Sequence, residues 1–359
     1  MALFPNLKSM LKSGNEKKDV GPEEIFSSDG SVSASALTAY AAGLDIPEDV
    51  MEKCTFSQLA ELHRLFLRNR ADKKPVNTPE ETEVLKERLK AVDTAMAAKI
   101  LAADEIWCVF NKRTGEPHMY TKIVDKGNGN YTVAAPYIYI AAQQAENAEM
   151  AMLNPELFEV KKIENGENRK GILNFLADCF YANGAHECAV LSEAVRIPCG
   201  MLAPKPDYSR LKPEARPVLN PDLERWILLL GQISKPEGEE PGLSYKVIYN
   251  LLVQQIPNAR LMVPVTYEGK RPVRNGDKIT MPKGTKLKMP TISGKEGRTA
   301  LRCFTDMRKL RMAYDSSWDV IIQTVKDITA KFDCAVNVSA LAGSGVYITK
   351  EIATGVQKQ

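Results

Sequence analysis

The sequence predicts an α+β protein, two tandem copies of a small mixed-sheet module preceded by a helical N-terminal region. Three observations lead there. Residues 33–70 and 78–101 carry apolar side chains at helical spacing, the pattern of helices with one face against a core. From residue 105 onward, short apolar segments alternate with turn residues and helical runs, as strands and helices of one domain do. The order of elements in this first mixed segment then recurs in a second. Each unit is roughly 90 residues long, about the size of a small domain.

Residues 1–36 are expected to form a flexible arm, because 12–36 are rich in Ser, Gly, Lys and Glu and have few large apolar groups to offset chain entropy. Before them, Leu3, Phe4, Leu7 and Leu11 fit one amphipathic turn. Residues 37–78 form the helical region, with Phe56, Leu59, Leu62, Leu65 and Phe66 on one stripe. A longer helix opens at Asn77-Thr-Pro-Glu-Glu, with Thr78 as its cap and Pro79 in its first turn, and runs to about residue 101.

The first module, 79–200, starts its sheet at 105–110, turns at Thr114-Gly-Glu-Pro and returns over 118–124. Gly127-Asn-Gly-Asn makes a tight turn before strands at 131–133 and 136–140. A helix over 141–152, a strand over 158–163 and a helix over 172–180 follow, the last stopped by Asn183-Gly184. Strands at 188–190 and 194–197 close the module. Residues 201–241, dense in proline, read as an extended linker wrapped on a surface and carrying a helix over 222–233. The second module, 242–359, repeats the order, with a helix over 244–255 and strands at 260–267 and 299–304. Its corner helix carries Leu310 and Tyr314 on one face and takes Thr305 or Asp306 as cap. Cys188-Ala-Val and Cys334-Ala-Val are expected on matching strands.

The second module contains Leu-Met-Val-Pro-Val at 261–265, Gly-Thr-Lys-Leu at 284–287 and Ala-Leu-Arg-Cys-Phe-Thr-Asp at 300–306. In this order the segments resemble the SseB N-terminal domain, the "enhanced serine sensitivity" family, over about 242–353. Residues 80–200 resemble it as a more distant copy. The chain departs from the family at Asn337-Val-Ser-Ala, where the family tends to carry Asn-Pro before its last strand. The resemblance implies the α+β module and no established chemical activity, so no catalytic residue is carried across.

Composition narrows the function further. The 48 basic and 45 acidic side chains leave a net charge of +3, too balanced to imply a nucleic-acid partner. No run of eighteen apolar residues spans a bilayer, and the first residues lack the apolar core of a signal peptide. The seven cysteines form no Cys-x-x-Cys pair, which points to reduced thiols and a cytoplasmic location.

Cys179, His186 and Cys188, with Glu187 between, are metal-ligand types, but their spacing fits no standard zinc site, and Cys199 would have to supply a fourth ligand. Structural thiols are expected, with no metal and no cofactor. His63 reads as structural or solvated. Gly115-Glu-Pro-His118, Gly127-Asn-Gly-Asn and Gly343-Ser-Gly345 read as turns. Arg302, Arg308, Lys309 and Arg311, with Tyr314, form the candidate interaction surface, either a solvated basic face or a docking surface for an acidic partner.

The function expected from these readings is that of a non-catalytic cytoplasmic protein of SseB type, a protein-interaction or small-ligand-binding module. It is expected to have a protein partner and to bind neither nucleic acid nor membrane. One alternative is an enzyme with its site between the modules, using His118 or His186 with a nearby carboxylate. Another is a secreted effector or a component of a larger assembly, addressed by the N-terminal arm.

Overall fold

The computed structural model describes residues 25–28, 30–42, 48–72, 78–142, 154–212, 215–233, 242–275, 278–294, 297–339, 341 and 343–354. The expected turn of Leu3 to Leu11 lies outside these residues, and so does the helix expected over 141–152 except for its first two residues, of which Ala141 closes a strand. The fold is α+β. Helices α1 (Ala34–Ala42), α2 (Glu48–Lys53), α3 (Phe56–Asp72) and α4 (Pro79–Ala102) come first. The end of the expected arm is built into them, since Phe26 bridges Val32 and Val32 is buried. At α4 the local chemistry works as read. Thr78 accepts from the Glu81 N–H, Glu81 returns the bond to the Thr78 N–H, and Pro79 stands in the first turn.

The first sheet contains β1 (Glu105–Asn111), β2 (Glu116–Pro117), β3 (Met119–Tyr120), β6 (Tyr137–Ala141), β7 (Phe158–Glu164), β8 (Glu187–Val190) and β9 (Ser192–Pro198). A separate hairpin, β4 (Ile123–Asp125) and β5 (Tyr131–Val133), leaves it through Gly127-Asn-Gly-Asn. Gly127, Asn128 and Gly129 all have positive φ there, which is why the turn needs these residues. Helix α5 (Gly171–Ala177) runs into a π turn (Asp178–Ala182), and α6 (Cys199–Leu202) follows β9.

Two helices, α7 (Pro221–Gln232) and α8 (Leu243–Gln255), lead to the second sheet. Its strands are β10 (Arg260–Glu268), β13 (Lys286–Lys288), β14 (Thr291–Ser293), β15 (Thr299–Cys303), β16 (Asp319–Thr324), β17 (Asp333–Val336) and β18 (Val346–Ile348). β11 (Val273–Asn275) and β12 (Lys278–Thr280) form a side hairpin. The β10 and β15 parts are joined where Met262 and Phe304 each donate an N–H to the other's carbonyl at 2.9 Å. Helix α9 (Met307–Ala313) follows β15, α10 (Val325–Thr329) follows β16, and α11 (Lys350–Ala353) follows β18.

The two sheets share an order of pairings. β1 is antiparallel to β7 on one edge and to β2 and β6 on the other; β10 is antiparallel to β16, and to β13 and the Phe304 bridge. β6 runs parallel to β8, and β15 to β17. β8 and β17 then pair antiparallel with β9 and β18. Cys188 and Cys334 sit second in β8 and β17, and both are fully buried. The residue after each Cys-Ala-Val has positive φ, Leu191 at 59° and Asn337 at 52°. Each also donates its N–H to the preceding parallel strand, at Ile140 O and Cys303 O.

The proline-dense segment divides in two. Residues 204–212 are mostly exposed, as an extended surface segment should be. Helix α7 behaves differently, since Leu223 through Leu229 are buried on every side of it, the mark of a helix inside a core. One continuous apolar core runs from Val32 through α7 and α8 to Ile348, so both sheets pack as one body. Close backbone contacts fix α7 in place. A Cβ on Gly231 would meet Gly343 O at 1.9 Å, and Gly343 donates its N–H to Arg113 O at 3.0 Å. A smaller cluster of Val218, Met262, Phe304 and Leu310 lies under α9.

Gly231→Ala is expected to destabilise the protein by about 1–3 kcal/mol despite alanine's better helix propensity, because the methyl group collides with backbone. Gly200→Ala, where nothing lies within 4 Å of the added carbon, serves as the neutral control. Phe304→Ala, at a ring only 3% exposed, is expected to cost about 3–5 kcal/mol. Denaturant melts of the full chain check all three.

Candidate functional site between the two sheets

The Phe304-Thr305-Asp306 corner turns the chain from β15 into α9. Asp306 is the cap of α9, its Oδ1 accepting from the Lys309 N–H at 2.9 Å. That cap sets the next two side chains. Arg308 and Lys309 point toward the first sheet, and Lys309 is buried, its side chain 7% exposed. A solvated basic face therefore does not describe Lys309.

Lys309 Nζ lies between two carboxylates, bonded to Glu116 Oε1 in β2 and 3.3 Å from Glu224 Oε1 in α7. Arg308 donates from Nη1 to Glu116 at 3.0 and 3.2 Å and from Nη2 to Asn183 Oδ1 at 2.6 Å. Asn183, just past the π turn, donates to Glu116 Oε2 at 2.9 Å. On the far side, Glu224 Oε2 accepts from Thr305 Oγ1 at 2.9 Å and from Asn337 Nδ2 at 2.6 Å. Asn337 Oδ1 accepts from the Thr305 N–H, a geometry that its left-handed backbone permits. Thr305 Oγ1 also lies 3.1 Å from Asp306 Oδ2, so its single proton serves one of two acids.

Charge and burial oppose each other throughout this network. Burial alone would raise the Glu116 carboxyl, but the Lys309 ammonium and Arg308 guanidinium hold it below the ordinary range. Burial would lower Lys309, and Glu224 and Glu116 outweigh it, so its pKa rises. Glu224, fully buried, goes the other way. Burial raises its pKa against the opposing pull of Lys309, and its Oε1, within ion-pair distance, makes no aligned hydrogen bond. Asp178 is also raised, first by burial. The arrangement can hold two faces together in a fixed register, because charge-assisted bonds are directional where apolar contacts are not.

The remaining candidates from the sequence fall elsewhere. Arg302 bonds Val338 O at 2.9 Å and lies over the Tyr314 ring at 5.2 Å. Tyr314 meets Trp318 edge-on at 4.8 Å, and Arg311 bonds the carbonyls of Asp315 and Trp318. Of the five expected surface residues, then, Arg311 is exposed, Arg302 in β15 and Tyr314 at the end of α9 are half-buried, and Arg308 and Lys309 face inward.

His118 is wedged edge-on against Tyr120 and Phe158, and burial lowers its pKa to about 4. His186, lowered by burial and then by Arg225, lies at the surface. His63 is buried 3.1 Å from Asp93, a structural pair. Cys179 and Cys188 are buried with their thiols pushed well up by burial, so they are protonated at neutral pH. All seven cysteines are free, and among the described residues no three His, Cys, Asp or Glu side chains gather as a metal site would require. Gly115 and Gly343 are turn residues that pack against the opposite sheet's loop and α7.

Sequence reasoning found the corner and missed its partners Glu116, Asn183, Glu224 and Asn337. One signal was present, since Glu224 stands in Leu223-Glu-Arg-Trp-Ile-Leu-Leu-Leu, where a lone carboxylate in an apolar helix demands a buried counter-charge.

Lys309→Met is expected to cost about 3–5 kcal/mol, because two carboxylates stay buried without their cation. The pH dependence follows the signs. The contribution of Glu116 is complete above the ordinary carboxylate pKa and is lost as pH falls through its lowered value. That of Lys309 is complete below the ordinary lysine value and is lost as pH rises through its raised one. Glu224 favours its neutral form in the fold and so opposes folding as pH rises past its ordinary value. Glu116→Gln is therefore expected to flatten the acid limb of a stability-against-pH curve, measured by urea melts from pH 3 to 7.

Residues 249–335, from α8 to β17, match the family model described as the SseB protein N-terminal domain. The match bears out the resemblance read from the Leu-Met-Val-Pro-Val strand and the Phe-Thr-Asp corner. No curated protein matches the chain, and no solved structure does.

Proposed function

We propose that this chain is a non-catalytic, cytoplasmic protein-interaction module of SseB type, made of two copies of one α+β plan. One observation carries the reading. The corner of the SseB-matched segment grips another α+β layer through Arg308 and Lys309, and helix α7 through Thr305, so in this chain it is a protein-docking element. The shared pairing order of the two sheets supports duplication, and the first copy supplies the corner with an internal partner. The free thiols suit a reducing compartment, and no helix among the described residues is long and apolar enough to cross a membrane.

The external partner docks at the C-terminal end of the same corner helix. Arg302, Tyr314, Trp318 and Arg311 form a chain of ring and guanidinium contacts there, beside the exposed Met312. Arginine and aromatic side chains are the residue types that dominate binding energy at interfaces. Their charge suits a partner with acidic groups.

The test is in-cell photo-crosslinking of the full chain with the crosslinker at Met312. Wild type is expected to give discrete adducts that Arg302→Glu/Arg311→Glu abolishes, while His118→Gln/His186→Asn leaves them unchanged. Adducts identical in the charge-reversed variant would remove this surface from the function. A cellular phenotype lost only in the histidine variant would favour an enzyme.

A further inference from the structure

The two sheets treat one equivalent strand in opposite ways. In the first sheet, β2 is the return strand of the hairpin with β1, paired as Asn111 with Glu116 and Phe110 with Pro117. In the second, β13 returns on β10, paired as Glu268 with Lys286 and Tyr267 with Leu287. Each return strand continues into a strand on the next neighbour, β3 on β6 and β14 on β15. By this register, Glu116 corresponds to Lys286 and Pro117 to Leu287.

β2 is an occupied docking edge. Glu116 and Pro117 are both buried, with Glu116 held by Arg308 and Lys309. The Gln232 side-chain amide exchanges two hydrogen bonds with the Met119 backbone in β3, at 2.9 and 3.0 Å. β13 is open. Lys286, Leu287 and Lys288 are all exposed, and among the described residues β10 is the only strand that pairs with it. The charge is inverted as well. Residues 266–290 carry seven Lys or Arg against two acids, a surplus of +5 in a chain of net +3.

The interface between the sheets is heterologous, using a return strand on one side and a corner helix on the other. Such a pairing leaves one return strand without a counterpart, and β13 is that strand. Lysine on an edge strand also keeps it from pairing indiscriminately. Here Leu287 is 38% exposed between two lysines, and Lys270, Arg271 and Lys283 are exposed nearby, so the edge has a recognition pattern as well as a charge.

We infer that the outer edge of β13, Lys286-Leu287-Lys288, is a second docking edge whose occupant is an acidic protein segment. The segment lies extended along β13 with one carboxylate facing Lys286, another sharing Lys288 with its exposed partner Glu268 at 3.2 Å, and an apolar side chain facing Leu287, adding one strand to the sheet. A second copy of this chain is the wrong occupant, because its own corner is basic and already filled by Glu116. The inference rests on the interaction reading above but on different residues, so the two fail separately.

The experiment is fluorescence anisotropy on the full chain with labelled extended peptides centred on Glu-Val-Glu, Gln-Val-Gln or Lys-Val-Lys. Wild type is expected to bind the acidic peptide at least about tenfold better than the neutral one, with an affinity that falls as salt rises. Lys286→Glu/Lys288→Glu is expected to lose the acidic peptide and gain the basic one. Both positions are exposed, so the variant should fold, and circular dichroism checks this; Lys286→Gln/Lys288→Gln gives an intermediate affinity.

Several results would overturn the proposal. These are no preference for the acidic peptide, acidic-peptide binding unchanged by charge reversal, and tighter uptake of duplex DNA or phosphatidylserine vesicles than of the peptide. A dimer in sedimentation that charge reversal abolishes would assign the edge to a second copy instead.

Discussion

The ammonium of Lys309 holds the molecule's register. It is nearly dry, bonds Glu116 from the first sheet and stands within ion-pair distance of Glu224 from the helix between the sheets. The apolar core is continuous across the same boundary, but apolar contact tolerates sliding and repacking. An ammonium between two carboxylates does not, because a displacement of a few ångströms leaves a buried charge unpaired. Hairpin 111–116, helix α7 and the corner at 304–309 are therefore fixed to one another as a unit. The contact of Gly231 with Gly343 adds a second constraint on α7, since it brings backbone against backbone.

What could be read in the sequence was set by how local each cause is. The Thr78 cap with Pro79 and Glu81, the Gly127-Asn-Gly-Asn turn, and the Asp306 cap of α9 all depend on neighbours within a few residues, and each stands where it was read. The α+β class followed from the same local signals. The site did not, because its members come from distant points of the chain, with Lys309 separated from Glu116 by 193 residues. A basic run on a short helix looks solvated until a counter-charge is known. Helix α7 stands where the sequence places a helix, over 222–233, but its burial is not legible there for a related reason. Proline spacing reports backbone restriction, whereas burial of Leu223 through Leu229 depends on what packs around them.

The two sheets share some features and differ in others. The parallel pairing of β8 with β6 and of β17 with β15, the buried cysteine in β8 and β17 and the left-handed residue after each Cys-Ala-Val are common to both. The side chains at that left-handed position differ in use. Leu191 bears the steric cost of positive φ with no polar return, whereas Asn337 tolerates it and connects Thr305 to Glu224. The polar network thus uses the left-handed residue of the second sheet only, where its corner meets the first.

Charge follows the same logic at a larger scale. A net charge of +3 reads as neutral, yet one excursion of the second sheet carries +5, so the rest of the chain is slightly acidic. Screening at physiological salt confines a charge's reach to about 8 Å. A partner at this edge therefore meets the exposed Lys270, Arg271, Lys283, Lys286 and Lys288 and not the whole-chain sum. Balance across a chain excludes a uniformly basic protein, but it cannot exclude a basic edge. The inversion from Glu116 to Lys286 sets the sign of the charge that each edge accepts. A buried glutamate fits a basic corner within the chain, and an exposed lysine at the matching position repels that same corner.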